Sequence, residues 1–251
     1  MQAAADNRPM PEAPANRTVS GALAVASGIF LSRIAGLVRE RVISHYLGLS
    51  AAAGAFRAAL RIPNLLQNLL GEGVLSASFI PVYARLRAEG KLEEASRVAR
   101  AVGTLLALVA ALISLVGVVF ASPLVEVLAP GFEGDTRALT VTMVQILFPG
   151  VALLVMSAWC LGVLNSHCKF FLSYVSPVLW NAALIATAII AGRRLAGHDD
   201  DVAIWLAWGA VIGSAAQFLV QLPTVIVLLR GPPAPHRATP RSRPDRGSPS
   251  G

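Results

Sequence analysis

Long apolar segments run through this chain, separated by short stretches that hold most of its charged residues. A helix needs about 20 apolar residues to cross the hydrocarbon core of a bilayer, and only helices or closed barrels satisfy their backbone polar groups there. Charged residues make up 14% and hydrophobic residues 55% of the 251 residues, whereas a typical soluble domain is about 25% charged. The chain is therefore predicted to be an all-α integral membrane protein.

Six of the apolar segments are predicted to be transmembrane helices. They cover approximately residues 18–47, 51–70, 101–120, 138–164, 170–191 and 202–229. The two ends of the chain are rich in proline and polar side chains, a composition typical of disorder. The predicted organisation is a disordered segment at 1–17, a transmembrane lobe at 18–230 and a disordered Pro/Arg-rich tail at 231–251.

The stretches between the predicted spans are expected to lie outside the bilayer. Gly71-Glu72-Gly73 predicts a break in the chain, followed by a short helix at 74–83. Residues 84–100 mix basic and acidic side chains and are predicted to form a surface connector, and 121–137 is predicted to be a loop. His167 stands in a polar loop, so we expect its ring to be solvated.

The basic residues orient these helices, because cytoplasmic loops of membrane proteins carry an excess of Lys and Arg. With a cytoplasmic N-terminus, three basic residues lie outside, namely Arg137, Arg193 and Arg194. Thirteen of the 21 then lie inside, namely Arg8, Arg17, Arg85, Arg87, Lys91, Arg97, Arg100, Lys169, Arg230, Arg237, Arg241, Arg243 and Arg246. The distribution predicts that the N-terminus and the C-terminus are both cytoplasmic.

The stretch from Ser32 to Arg41 places three arginines and a glutamate inside the first predicted helix. Arg33 lies about 22 Å from the start of that helix at 1.5 Å per residue. A fixed charge at such depth is costly unless it faces a water-filled cavity or a partner. The second span adds Arg57 and Arg61, which are four residues apart and so share one helix face.

These arginines outnumber the nearby carboxylates, which are Glu40 and Glu72. The surplus positive charge favours an anionic ligand, and a phosphate or pyrophosphate matches the forked guanidinium group. The alternative is structural, with Arg33 extending to the membrane interface or pairing with a carboxylate. Arg41 lies two residues from Arg39, on another face, and is interpreted as an interfacial anchor.

Other polar residues of the predicted spans have simpler interpretations. Asn64 follows a proline and can satisfy the backbone groups that the proline leaves unpaired. Glu72 can end a helix at the cytoplasmic side. Hydrogen bonds between helices are expected from three amides, those of Asn181, Gln217 and Gln221.

Several functional classes are disfavoured. The arginines lie between apolar runs rather than on a basic face interleaved with aromatic residues, which argues against nucleic-acid binding. Cys160 and Cys168 lack the spacing of a metal site or a disulfide framework, and both are interpreted as small buried thiols. The sequence displays no nucleophile–base pair, metal cluster or phosphate-binding glycine loop. Neither an enzyme nor a cofactor is predicted.

Several motifs follow one another in the chain: SRIAGLVRE at 32–40, Phe56, RIPNLL at 61–66, GEG at 71–73, SASFIPV at 76–82, APGF at 129–132 and GVLN at 162–165. Together they resemble the motifs of one known family, the MurJ (MviN) proteins. The resemblance extends from about residue 20 to residue 229. MurJ-type proteins are lipid II flippases of the multidrug/oligosaccharidyl-lipid/polysaccharide exporter superfamily, in which two helical bundles enclose a central cavity.

The resemblance implies a fold and a function. The chain is similar to the amino-terminal lobe only, whereas family members continue into a second bundle. The implied function is alternating-access translocation of lipid II, the undecaprenyl-pyrophosphate-linked peptidoglycan precursor, across the bacterial cytoplasmic membrane. A lipid-linked anionic substrate and membrane lipids are then the expected partners. The chain would be either a truncated product or a half-transporter that pairs with a second lobe or another copy.

Individual residues are carried over from the family's motifs. Arg33 and Arg39 match cavity arginines of the family's first helix, Glu40 matches an acidic residue beside the second of them, and Arg61 matches a basic position of the second helix. These four are the predicted substrate-binding residues. The candidate cavity or gating residues are Arg57, Asn64 and Glu72.

Two departures from the family's pattern occur in the second segment. The family usually has an aspartate at the position of Gly54 and an arginine at that of Gln67. These losses favour an alternative function, a non-transporting pseudo-flippase or membrane scaffold. A multidrug exporter is disfavoured, because it needs intramembrane carboxylates that the later spans lack.

Overall fold

The structure, a computed structural model, describes residues 15–230. In that range the chain is a succession of helices: α1 (Ala15–Leu47), α2 (Ala51–Leu66), a π-helical segment (Gln67–Phe79), α3 (Ile80–Ala88), α4 (Leu92–Val119), α5 (Ala121–Leu128), α6 (Gly134–Ser166), α7 (Phe170–Arg194) and α8 (Asp199–Arg230). The predictions for residues 1–14 and 231–251 lie outside the described part. The predicted domain boundaries stay predictions, and α1 starts at Ala15 rather than at residue 18.

Four of the described helices are long and apolar enough to cross a membrane. They are α4, α6, α7 from Phe171 onward and α8, and they overlap the third to sixth predicted spans. Of the other two predicted spans, α1 has 33 residues but carries the arginine cluster, and α2 has only 16 residues. The predicted all-α membrane fold is confirmed, and the number of six spans is approximate.

The connection from α2 to α4 corrects the sequence prediction. Gly71-Glu72-Gly73 does not break the chain, because it lies within the π-helical segment, which joins helical backbone at both ends. A π-helical turn absorbs extra residues without unpairing the backbone, and an irregular loop at membrane depth would leave polar groups unsatisfied. The next helix extends to Ala88 rather than to Tyr83. The predicted connector at 84–100 is therefore mostly helical.

The predicted loop at 121–137 also contains a helix, α5. Its residues Ala121 and Val125 are four positions apart and are both buried. Because four residues make about one helical turn, a helix brings both side chains to the same face, where they pack into the bundle. The apolar part of this stretch is therefore helical, and its polar part, 129–133, connects α5 to α6.

The helices pack around two buried clusters at opposite ends of the bundle. One cluster includes Leu47, Val125 and Val202 and is called the Leu47 end. The other includes Tyr83 and Leu229 and is called the Tyr83 end. The 84–100 region, the α6–α7 turn and the end of α8 all lie at the Tyr83 end. The charge distribution of the sequence predicted that these segments share one side of the membrane.

Candidate functional site

The arginines lie on two helices that are joined by the short turn 48–50 at the Leu47 end. Gly48 adopts a φ of +55°, a conformation that glycine accepts at little cost. Ser50 caps α2, since its Oγ accepts a hydrogen bond from the Ala53 N–H at 3.2 Å. Beyond the turn, α1 packs mainly along α7 and α2 mainly along α6. The outward faces of both helices therefore stay uncovered.

One face of α1 is exposed from Arg33 to Ser44. Arg33, Leu37, Glu40 and Ser44 lie at intervals of three or four residues and so share this face, and all four are exposed. Arg41 is also exposed. The structure thus presents Arg33 and Glu40 on the uncovered side of the helix.

Arg39 points toward α7 instead. Its Nη1 donates a hydrogen bond to Asn181 Oδ1 at 3.0 Å, and its Nη2 lies 2.5 Å from Glu40 Oε1. The guanidinium carbon is 5.1 Å from the centre of the Trp180 ring, which is within cation–π range. Three neighbours therefore hold this side chain, of which 21% remains exposed.

The exposed face of α2 continues the positive charge. Arg57, Arg61 and Asn64 lie on one face at intervals of four and three residues, and all three are exposed. Arg57 Nη2 is 3.4 Å from Ser44 Oγ, which links α2 to α1. We define the arginine face as Arg33, Arg39, Glu40, Arg57 and Arg61.

A cavity of about 360 Å³ opens beside the arginine face. Five amide side chains and one indole line it, together with apolar residues of α3, α6 and α7. The polar members come from α2, the π-helical segment, α6, α7 and α8, and they are Asn64, Gln67, Asn165, Trp180, Asn181 and Gln217. We call this cavity the amide chamber.

Hydrogen bonds hold part of the chamber wall. Asn181 Nδ2 donates to Pro177 O at 3.0 Å. Gln217 Nε2 donates to Ser157 Oγ, which in turn donates to Gln221 Oε1, both at 2.9 Å. The predicted bonds between helices from Asn181, Gln217 and Gln221 are confirmed.

Three buried polar atoms near these bonds have no hydrogen-bond partner: Trp180 Nε1, Asn165 Oδ1 and Gln221 Nε2. The first two belong to residues that line the chamber. A buried polar group without a partner typically costs about 1–3 kcal/mol. These atoms therefore mark a place where the chain alone does not complete its hydrogen bonds.

The structure brings some of the predicted site residues together and separates others. Arg39 and Asn64 both border the amide chamber, the first through Asn181 and the second as a lining residue. Arg33 lies six residues from Arg39, or about 9 Å along the helix axis, on the uncovered face. Glu72 belongs to the π-helical segment, and its side chain is outside the described part of the chain.

Sequence reasoning missed five of the six polar members of the chamber wall as site residues, namely Gln67, Asn165, Trp180, Asn181 and Gln217. A signal was present, since amide side chains are costly in apolar spans and usually face a partner or a cavity. However, these five residues lie on four elements that are far apart in the chain. Only the packing of the helices shows that they share a cavity.

A second polar cluster lies at the Tyr83 end and corrects the prediction for His167. Its ring is partly buried, with Nε2 2.8 Å from Tyr83 Oη, and Arg87 donates a hydrogen bond to Ser166 O. Burial lowers the pKa of His167, and the positive charges of Arg87 and Lys169 lower this pKa further. Burial raises the pKa of Tyr83, against the effect of Arg87.

The two cysteines differ from each other. Cys160 is buried, as predicted, whereas Cys168 is exposed. Cys168 lies in the tight α6–α7 turn with a φ of +57°. A turn at the end of the bundle projects its side chain outward, so the prediction of a buried thiol is wrong at this position.

The comparisons with known proteins identify the family. A family model described as "Lipid II flippase MurJ" matches residues 43–241. The chain belongs to the lipid II flippase MurJ family. It is 38% identical over 203 residues to the lipid II flippase MurJ of Burkholderia cenocepacia. The aligned region covers 80% of this chain and 39% of that protein. It is also 35% identical over 202 residues to the probable lipid II flippase MurJ of Haemophilus influenzae. This alignment covers 77% of this chain and 39% of that protein.

The chain spans about two fifths of the length of these relatives. A solved structure titled "Lipid II flippase MurJ, inward closed conformation" matches with a TM-score of 0.65 and 21% identity, over 83% of this chain and 46% of that chain. This match shows a shared fold. Family membership and the four apolar helices make the chain an integral protein of the bacterial inner membrane. The family is one of flippases, which are transporters rather than catalytic enzymes.

Proposed function

We propose that this chain forms one lobe of a lipid II flippase and that its arginine face binds the pyrophosphate of the lipid-linked precursor. Family membership supports the reaction class. The observation that carries the binding site is the uncovered positive charge, with Arg33, Arg57 and Arg61 all exposed on α1 and α2. Among the described side chains of α1 and α2, Glu40 is the one carboxylate, and it lies beside these arginines.

The arrangement gives different roles to the arginines. Arg39 is already oriented by Asn181, Trp180 and Glu40, so little side-chain entropy is lost when it meets an anion. Arg33 and Arg61 are exposed and can turn toward the ligand, where the guanidinium fork forms paired hydrogen bonds to phosphate oxygens. Glu40 neutralises the charge of Arg39 when no ligand is bound, and the phosphate of the ligand replaces Glu40 as the partner of Arg39 on binding. Arg57, Asn64 and Glu72 serve at the cavity edge or as gating residues.

Transport requires a second wall opposite the arginine face. A second helical bundle, supplied by another lobe or another copy of this chain, would rock against this one and open the site to each leaflet in turn. The membrane lipids are the other partners. The positive charge of the Tyr83 end supports an orientation in which this end, and with it the N- and C-termini, is cytoplasmic.

Complementation of a bacterial strain depleted of its own lipid II flippase tests this function. This chain would be expressed with the remaining bundle of the Burkholderia cenocepacia relative, and flipping would be measured as labelled precursor reaching the outer leaflet. We expect rescue by the unchanged chain and by Arg193→Ala, which alters an exposed arginine of α7 that is not a member of the arginine face. We expect no rescue by Arg33→Ala. Rescue by a triple Arg33→Ala, Arg39→Ala and Arg61→Ala variant would refute the assignment.

A non-transporting scaffold is the second candidate function. The observations that favour it are Gly54 and Gln67, where the family's charged residues are missing. A scaffold would be produced and inserted in the membrane to normal levels and yet give no rescue with any second bundle. If the unchanged chain reaches normal levels in the membrane and gives no rescue with any second bundle, the scaffold function is supported and the flippase proposal is refuted.

A further inference from the structure

A cavity of about 390 Å³ opens at the Tyr83 end, between α3, the start of α4, the α6–α7 turn and the end of α8. We call it the Arg87 cavity. It has no lining residue in common with the amide chamber. We infer that the Arg87 cavity is a second anion site, which binds a phosphate group and is separate from the arginine face. This inference goes beyond the proposed function, because it concerns neither the transported ligand nor its path.

The polar side chains of this cavity suit a phosphate group. They come from three elements and are Tyr83 and Arg87 of α3, Ser96 of α4 and His167 of the α6–α7 turn. The guanidinium fork matches phosphate oxygens, and hydroxyl and imidazole groups can donate further hydrogen bonds to them. None of the described lining residues is a carboxylate. The wall therefore offers donors and positive charge, without a side chain that repels an anion.

The charge of Arg87 is not used by the ion pairs around it. Glu89, the carboxylate of the α3–α4 turn, lies 2.8 Å from Arg85 Nε and 2.9 Å from Lys91 Nζ. Arg85 and Arg87 are two residues apart and so lie on different faces of α3. None of the ion pairs formed by the described residues includes Arg87. Arg87 therefore brings uncompensated positive charge to the cavity.

The guanidinium group of Arg87 is held in place and still has a donor to spare. It donates a hydrogen bond to Ser166 O through Nη1. Its Nε is buried and has no hydrogen-bond partner within the described part of the chain. Native proteins rarely leave such a donor unpaired, so it is expected to meet water or a ligand. Because the side chain is already held, little of its entropy is lost when it binds an anion.

The imidazole of His167 senses the charge of this cavity. Its Nε2 lies 2.8 Å from Tyr83 Oη. Burial lowers the pKa of His167, and the positive charges of Arg87 and Lys169 lower this pKa further. An anion beside Arg87 would offset these charges and raise the pKa of His167. Anion binding in the cavity should therefore be visible at His167.

The remainder of the wall is apolar. It consists of Leu92 and Ala95 at the start of α4 and Val227 and Leu228 near the end of α8. The volume of about 390 Å³ lies within the range of small-molecule sites, about 300–1,000 Å³, and leaves room for more than a phosphate. The cavity also lies at the ends of two helices that are long enough to cross a membrane. These features favour the phosphate of a membrane lipid over free phosphate.

The experiment uses the full chain in dodecyl maltoside micelles, which contain no phosphate, with its histidines labelled with ¹³C. The Cε1 resonance of His167 is assigned from His167→Gln. Inorganic phosphate and dihexanoylphosphatidylglycerol, a short-chain anionic lipid, are titrated separately. We expect both ligands to shift the His167 resonance and to raise its pKa, and the lipid to bind more tightly because it also contacts the apolar wall.

Matched variants locate the site. Arg87→Gln should weaken the binding of both ligands at least about tenfold, because it removes a charged donor. Arg85→Gln removes the same charge from an exposed position of the same helix and should leave both affinities unchanged. Ser96→Ala should weaken binding about threefold through the loss of one hydroxyl donor, and it decides the test if Arg87→Gln does not fold.

The possible failures are distinguishable. The Arg87 cavity is refuted as an anion site, and the flippase proposal stands, if neither ligand moves the His167 resonance or if Arg85→Gln weakens binding as much as the cavity variants do. A shift of His167 that Arg61→Ala abolishes would assign the anion to the arginine face instead. If both ligands bind equally tightly, the site takes a soluble phosphate compound, whereas tighter binding of the short-chain lipid identifies a lipid site.

Discussion

The arginine face and the amide chamber lie side by side but are built in opposite ways. The arginine face is charged and, apart from Arg39, uncovered, and it comes from one hairpin, α1 and α2. The amide chamber is neutral and partly enclosed, and six elements contribute to its wall. Charge acts over several ångströms and tolerates imprecise placement, whereas amide hydrogen bonds need donor–acceptor distances near 3 Å.

This difference explains how each region depends on the fold. An exposed arginine keeps its function while it remains on the correct helix face, so a hairpin is sufficient. The chamber needs α2, α6, α7 and α8 in register, and the buried Ser157–Gln217–Gln221 bonds help to fix two of these helices. The arginine face should therefore respond to changes of charge, and the chamber to changes of packing.

The largest effect is expected from reversing a charge on the arginine face. Arg61→Glu should lower the affinity for inorganic pyrophosphate on the order of 100-fold, because it removes a charge-assisted hydrogen bond and adds repulsion. Isothermal titration of the full chain in nanodiscs measures this affinity. Arg193→Glu makes the same change of charge outside the face and should have little effect, and an equal loss in both variants would mean that only net charge matters.

A smaller effect, on stability, is expected from the buried bonds beside the chamber. Ser157→Ala leaves Gln217 Nε2 and Gln221 Oε1 without their partner, which should lower the free energy of unfolding by about 1–3 kcal/mol. Thermal unfolding in detergent measures it. Thr142→Ala is the matched control, since its exposed hydroxyl donates only to Ala138 O of the same helix. A loss no larger than that of the control would show that the network does not fix the helices.

A few-fold effect is expected from restoring an acidic residue near the arginines. A Cβ at Gly54 would have Phe132 Cζ as its nearest neighbour at 3.9 Å, so Gly54→Asp should change the free energy of unfolding by less than about 0.5 kcal/mol. The new carboxylate lies one turn before Arg57 and competes with an anion. Pyrophosphate binding should weaken a few-fold relative to the neutral variant Gly54→Asn. Equal binding by both variants would place Arg57 outside the site.

The smallest effect is expected on acidification, and it belongs to neither region. Histidine is the side chain that ordinarily changes charge between about pH 5 and pH 8, and burial lowers the pKa of His167 in the folded chain. The unfolded chain then takes up the proton first, so stability falls as the pH drops below the ordinary value of 6.5.

Unfolding midpoints at about pH 7.5 and about pH 5 measure this loss. The midpoint of the unchanged chain should fall more than that of His167→Gln. An equal fall in both chains would assign the acid sensitivity to other groups.

Much of the fold follows from the sequence. The apolar runs predict α4, α6, α7 and α8, because a helix in lipid satisfies its backbone groups internally. The 71–73 region was predicted wrongly, since two glycines usually interrupt a helix in water. In the bundle, the need to keep the backbone bonded outweighs this tendency, and a π-helical segment results.

The site divides in the same way. The sequence by itself determined which of the arginines share a helix face, because helical periodicity fixes this, and the surplus of positive charge predicts an anionic ligand. Only the tertiary structure decided that Arg39 turns toward Asn181 and Trp180 and that Gln67, Asn165 and Gln217 line one cavity. Periodicity acts within one helix, whereas the chamber depends on how the side chains of six separate elements meet.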